Sequence, residues 1–359
     1  MSLNPASVDA LPDELLLLVL SFVGDARTLL DAVPLVCKRW LRLHRDRRVW
    51  AEVDIDVAES EERVSTFRYV LHAPAASSLS MVGYTCHPEL RVPEDPKDPT
   101  LSRAECSRRL TSTLKRSAMV VSHLDLSTVQ VDESLHGVLT DFLGRQGDHL
   151  RSLDLRIPLV DEFEGATKTS RLMRSFARLQ RLERLRIRID TERVEMAGSM
   201  GPFGGFKMPK LKELLICTWS PTIGAGMVGY RDYVMRMLNG VDTALPSLRA
   251  LELPMTLGME GVDAEAVVRL ERLEKLTMRA DVSAVWSIAR HVVKDDVTAT
   301  LNACRGMASL RSLRIHLHCN IVGLHLQDEL RDFTAAAIKA FREDRPHVDA
   351  KFSTPNSLL

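Results

Sequence analysis

LERLRI, residues 182–187, places leucine or isoleucine at its first, fourth and sixth positions, with charged side chains between them. Alternation of this kind suits a short strand with one apolar face, while the first leucine turns in from the preceding loop. The same shape recurs as VSHLDL from Val121, LRSLDL from Leu150, LKELLI from Leu211, LRALEL from Leu248, LEKLTM from Leu273 and LRSLRI from Leu310. Weaker copies are WAEVDI from Trp50, ASSLSM from Ala76 and HVDAKF from His347. The seven clear copies start 25 to 37 residues apart, and helix-like segments lie between them at 101–118, 134–146, 169–179, 230–238, 263–270, 285–304 and 328–341. One strand and one helix per period stack into a parallel sheet backed by helices, so the expected fold class is α/β.

Ahead of the array stands LPDELLLLVLSFVGDARTLLDAVPLVCKRWLRLHRDRRVW, residues 11–50. A helix can open at Leu11-Pro12, with Asp13 and Glu14 at the positive end of its dipole. It carries two apolar stripes, Leu15, Val19 and Phe22 on one and Leu16, Leu20 and Val23 on the other, with Leu17 and Leu18 besides. A helix apolar around most of its circumference is covered on more than one side. Asp25 caps a second helix with Leu29, Leu30 and Val33, and Pro34 restarts the chain as a third with Val36, Trp40 and Leu43 on one stripe. Forty residues bury too little surface to stand alone, and with one cysteine, Cys37, and no metal-ligand spacing the remaining cover is a partner protein.

Leu11-Pro12-Asp13-Glu14, Leu15-Leu16, Ser21-Phe22, Leu29-Leu30, Val36-Cys37-Lys38-Arg39-Trp40 and Val49-Trp50 together resemble an F-box. The repeated strand resembles the leucine-rich repeat, so the whole is similar to the F-box/leucine-rich-repeat proteins. The resemblance implies a three-helix F-box at 9–50, a leucine-rich-repeat solenoid with irregular repeats at 51–352 and a disordered tail at 353–359. It implies a non-catalytic substrate-recognition adaptor of an SCF (Skp–cullin–F-box) ubiquitin ligase. The Skp-type adaptor would be contacted by Leu11, Pro12, Leu15, Leu16, Phe22, Val36 and Trp40, bringing in the cullin and RING subunits, and a protein target would lie on the repeats. The alternative is a scaffold that binds the Skp adaptor without substrate ubiquitination. Two departures stand out. The periods are long for leucine-rich repeats, and the ninth position, normally Asn or Cys, holds Val129, Pro158, Asp190, Trp219, Thr256, Asp281 and His318.

Lys+Arg and Asp+Glu both total 48, so no global basic field draws in nucleic acid. The six cysteines, Cys37, Cys86, Cys106, Cys217, Cys304 and Cys319, lack paired spacing, as reduced thiols do. Neither a signal peptide nor a run long enough to span a bilayer is legible, so no membrane partner is expected, and the location expected is cytoplasmic, nuclear or both.

Residues between the inward leucines face the open side of the sheet. That register makes Arg156, Arg184, Arg186, Arg188, Lys275, Arg279 and Arg314 a candidate substrate-binding ridge for an acidic or phosphorylated segment. Solubility is the simpler role for any one of them, and no cofactor is demanded there. Gly224-x-Gly226-x-x-Gly229 matches a nucleotide-binding fingerprint, but it follows one of many equivalent strands, and a glycine-rich inter-repeat loop explains it better. His316 and His318 point to one face of a strand, too few ligands for structural zinc. No metal site and no catalytic residue are assigned.

Overall fold

The computed structural model describes residues 8, 11–56, 63–81, 103–130, 133–158, 172, 174–190, 207–219, 238, 240–254, 267–282, 288–319 and 324–353. Ten strands form one sheet whose hydrogen-bonded order is the order in the chain. They are β1 (Asp54–Asp56), β2 (Ala75–Ser80), β3 (Val120–Gln130), β4 (Ser152–Pro158), β5 (Arg184–Asp190), β6 (Glu213–Trp219), β7 (Ala250–Pro254), β8 (Lys275–Val282), β9 (Ser312–Cys319) and β10 (Asp349–Ser353). All ten copies of the repeated segment, weak ones included, become strands. The chain divides into two compact units, residues 1–153 and 154–359.

The first unit opens with α1 (Asp13–Ser21). Pro12 lies just outside the helix, not in its opening turn, and its carbonyl accepts from the Leu15 and Leu16 N–H groups. Asp25 caps the next segment as expected, accepting from the Thr28 N–H at 2.8 Å and hydroxyl at 2.6 Å. A π-helical turn, Thr28–Ala32, runs straight into α2 (Val33–Val36). Pro34 therefore does not break the chain. It sits in the first turn of α2, where its missing N–H removes no helix bond. The break falls at Cys37, which is fully extended (φ −165°, ψ 170°), before α3 (Lys38–Leu43). Because of that break Val36, Trp40 and Leu43 do not share a stripe: Val36 is exposed, Trp40 half-buried and Leu43 buried.

A 3₁₀ turn, Arg47–Trp50, leads to β1 with three residues between, and the Val53 N–H bonds the Trp50 carbonyl. Helix α4 (Arg63–His72) packs on β1, an element with no clear signal in the sequence. Helices α5 (Arg103–Arg116) and α6 (Glu133–Arg145) follow and pack together. Strands β1, β2 and β3 pair in parallel, aligning Ile55, Leu79 and Leu124 in one buried row. Gln146, also buried, ties the far end of this unit: its amide nitrogen donates to the Met119 carbonyl and its oxygen accepts from the Val121 N–H. A buried polar side chain is tolerated only when so satisfied.

In the second unit β5 through β10 pair in parallel without a break. Their register stacks two buried rows, Leu185–Leu214–Leu251–Leu276–Leu313–Ala350 and Ile187–Ile216–Leu253–Met278–Ile315. A third row comes from the opening leucines, Leu182, Leu211, Leu248, Leu273 and Leu310, each bonding through its N–H to a carbonyl three residues back. Those carbonyls belong to Leu179, Met208, Leu245, Leu270 and Met307, which are also buried. The repeat is thus Φ-x-x-L-x-x-L-x-L, one apolar position longer than it reads in the sequence. At about 1.5–3 kcal/mol per fully buried side chain, these rows are the main stabilising term of the unit.

At the start of each strand a backbone fork joins neighbouring repeats. The Glu183 carbonyl accepts from the N–H groups of Lys212 and Glu213, at 2.8 and 3.0 Å. The same fork recurs at Lys212, Arg249 and Glu274, each carbonyl taking two N–H groups from the next repeat, and Arg311 accepts one from Asp349. The side chains at this position enter exposed ion pairs such as Lys212–Glu183 at 2.8 Å. Short α7 (Val241–Ala244) begins at Gly240, whose φ of 72° suits glycine. Helices α8 (Ile288–Arg305) and α9 (Leu324–Asp344) pack together, and α9 packs on β10. Three stretches that interrupt the repeat periodicity, 85–100, 191–207 and 219–229, lie wholly or mostly outside the described residues, as does the Gly224–Gly229 motif.

Candidate functional site

The two stripes of α1 separate, with Val23 half-buried at the end of the inner one. Leu16 and Leu20 are buried, while Leu15, Val19 and Phe22 are exposed. Leu17 falls inside and Leu18 outside. Of nine large hydrophobic side chains exposed among the described residues, eight lie between residues 8 and 41: Val8, Leu15, Leu18, Val19, Phe22, Leu35, Val36 and Leu41. Such a concentration marks an interaction surface, since single exposed leucines are ordinary and clusters are not.

Of the residues expected to meet the adaptor, Leu15, Phe22 and Val36 are exposed, as is Pro12, and Leu11 and Trp40 are half-buried. Leu16 is the correction: it is fully enclosed in the unit's own core and supports the surface from beneath. Leu18, Val19, Leu35 and Leu41 are exposed as well. Leu35 follows a proline that read as a helix start, and its 82% exposure arises because the chain breaks at Cys37 before that turn can pack.

Asp13 holds the two ends of this surface together. Its carboxylate accepts from Arg39 Nε at 2.7 Å and from Arg42 Nη2 at 2.6 Å, while Arg39 also donates to the Leu11 carbonyl. The Arg39 hydrogen bond, helped by the charge of Arg42, holds the Asp13 carboxyl below its ordinary value of 3.8. A depressed carboxyl contributes stability above its unfolded pKa and loses it as pH falls through the folded one. Wild type and Asp13→Asn should therefore differ in urea midpoint at pH 7 and converge below about pH 3.8. A gap that stays constant with pH would contradict the Asp13–Arg39 linkage.

The second candidate surface is the open face of β5 to β10, where alternate side chains are half-buried or exposed. Parallel sheets usually have both faces covered, so an uncovered one is available for binding. Arg186 and Arg188 both reach Asp154 Oδ2, at 3.4 Å each, and Arg279 Nε meets Glu252 Oε1 at 2.5 Å. Lys275, Arg314 and Arg184 are exposed on the same face. Arg156 does not join them. It is 6% exposed and already engaged, as a guanidinium taken out of water must be.

Cys217 Sγ donates to Glu252 Oε1 at 3.6 Å, and burial with the Glu252 charge pushes its thiol up to about 11, so it stays protonated and unreactive near neutrality. His316 Nδ1 contacts the Ser353 hydroxyl at 2.5 Å, and burial holds its imidazole below 6.5. Among the described residues no three potential metal ligands gather, and no helix is long and apolar enough to cross a membrane.

Residues 8–56 match the F-box-like family, a span that contains the whole exposed apolar cluster and ends with β1. F-box domains generally bind Skp-type adaptors and are typically non-catalytic. A search of curated proteins returns no match to the chain.

Proposed function

We propose that the chain is a substrate-recognition adaptor of an SCF-type ubiquitin ligase, with the F-box-like domain seated on a Skp-type adaptor and the repeats holding a protein target. The observation that carries this reading is the coincidence of the family match at 8–56 with the exposed cluster at 8–41. In this reading the residues after 50 are an irregular leucine-rich-repeat solenoid whose neighbouring repeats are joined by a backbone ladder at the start of each strand. The chain supplies no chemistry; it supplies proximity, raising the effective concentration of target lysines at a charged conjugating enzyme. The close coupling of Trp50 to β1 favours this, because a fixed spacing transmits position.

Reconstitution tests it. The full chain, co-purified with a Skp-type adaptor and supplied with cullin, RING subunit, E1 and E2, should ubiquitinate proteins retained on residues 154–359. Retention of the adaptor without cullin-dependent ubiquitination of any retained protein would point to the scaffold instead. Loss of adaptor retention by the wild-type chain would end both readings.

A further inference from the structure

The register of the second unit lays its open face out as a grid. One row pairs Arg188 with Cys217 on β5 and β6 and Arg279 with His316 and Ser353 on β8 to β10; the next runs Arg186, Leu215, Glu252, Thr277, Arg314 and Lys351. The third, Arg184, Glu213, Ala250, Lys275, Ser312 and Asp349, is balanced in charge. The first two are not. Their carboxylate, Glu252, and the nearby Asp154 are recessed, with side chains 13% and 15% exposed, while Arg279 and Arg186 above them are 58% and 42% exposed. The carboxylates act as struts under the guanidinium groups, and the solvent meets cations.

These cations form two groups. Arg186 and Arg188 stand on β5 over Asp154; Arg279 and Arg314 stand on β8 and β9 beside Glu252. Arg186 and Arg188 share Asp154, and Arg279 pairs with Glu252 while Arg314 stands on the next strand, so guanidinium outnumbers carboxylate in each group. Between them lie Leu215 and Cys217, the thiol uncharged. Three strand spacings of ~4.8 Å separate β5 from β8, about 14 Å, which an extended chain at ~3.4 Å per residue covers in about four residues.

Taking the repeats to be the target-holding end, we infer that this face recognises an extended peptide segment with carboxylate side chains at i and i+4 and a small uncharged stretch between. An excess of guanidinium in each group suits one added carboxylate, whereas a phosphate dianion would meet the recessed Asp154 or Glu252 at closer quarters. Arginine forks reward the planar carboxylate, and the charge excess makes capture sensitive to salt.

The test uses the full chain bound to its adaptor and short fluorescent peptides in an Ala/Ser background. The peptides carry Glu at i and i+4, Glu at i and i+1, Glu at i and i+9, Gln at i and i+4, or phosphoserine at i and i+4. The Glu pair at i and i+4 should bind tightest and weaken as salt rises. Arg186→Glu/Arg188→Glu and, separately, the exposed single change Arg314→Glu should each lower its affinity on the order of tenfold. The adaptor should be retained in both, and the thermal midpoint should be unchanged in Arg314→Glu, whose side chain is exposed. Equal binding of the Gln peptide, indifference to spacing, tighter binding of the phosphoserine pair, or unchanged affinity in both variants would overturn the inference. Failure of peptide binding with the adaptor retained sinks this inference alone; loss of the adaptor with peptide binding intact sinks the ligase reading alone.

Discussion

Phe22→Asp combined with Leu35→Asp should abolish retention of a Skp-type adaptor while leaving the domain folded. Both side chains project into solvent, at 80% and 82% exposure, so neither contributes packing to the free protein. Burying each against a partner is worth about 1.5–3 kcal/mol, so losing both removes about 3–6 kcal/mol, or on the order of 10² to 10⁴ in affinity. The carboxylates would in addition be desolvated in an apolar interface, which pushes the effect to the upper end. Adaptor pull-down and the urea midpoint of the free chain are the two readouts. Retention of the adaptor by the double variant would show that the exposed cluster is not the docking surface.

Trp50→Ala should be the most damaging single change in the first unit, costing about 3–5 kcal/mol. Trp50 is fully buried, and its indole N–H donates to the His44 carbonyl at 2.6 Å. The residue serves two elements at once: it closes the 3₁₀ turn against which α1 packs, and it is the first apolar position of the repeat that forms β1. Trp50→Phe keeps most of the packing and loses the donor, so it should cost about 1–3 kcal/mol through the unsatisfied carbonyl. A Trp50→Ala chain with an unchanged unfolding midpoint would mean that the F-box-like domain and the first strand do not share a core.

Much of this was legible from spacing. Apolar residues at the fourth and sixth positions of each copy mark a period of two in the strand, and every copy, down to HVDAKF at 347–352, entered the sheet. The fourth apolar position, at Leu179, Met208, Leu245, Leu270 and Met307, escaped notice because it sits in the turn, where neither strand nor helix periodicity applies. Helix α4 escaped too: Phe67 and Val70 are its only described fully buried apolar side chains, too few to show a stripe.

The two sites divide along the same line. Local pattern was sufficient to show that α1 carries two apolar stripes, because side chains at i, i+4 and i+7 share a helix face whatever surrounds them. It could not say which stripe faces out, since Leu15, Val19 and Phe22 are chemically like Leu16, Leu20 and Val23. Only packing against α3 and the Arg47–Trp50 turn made that choice. The basic ridge follows suit. Alternation placed Arg184, Arg186 and Arg188 on one face, but the pairing of Arg186 and Arg188 over Asp154, the position of Arg279 on the same face, and the burial of Arg156 depend on residues 32 to 91 positions apart or on enclosure. Periodicity is a property of a segment and can be read along the chain; burial and charge pairing are properties of neighbours, and neighbours are chosen by the sheet.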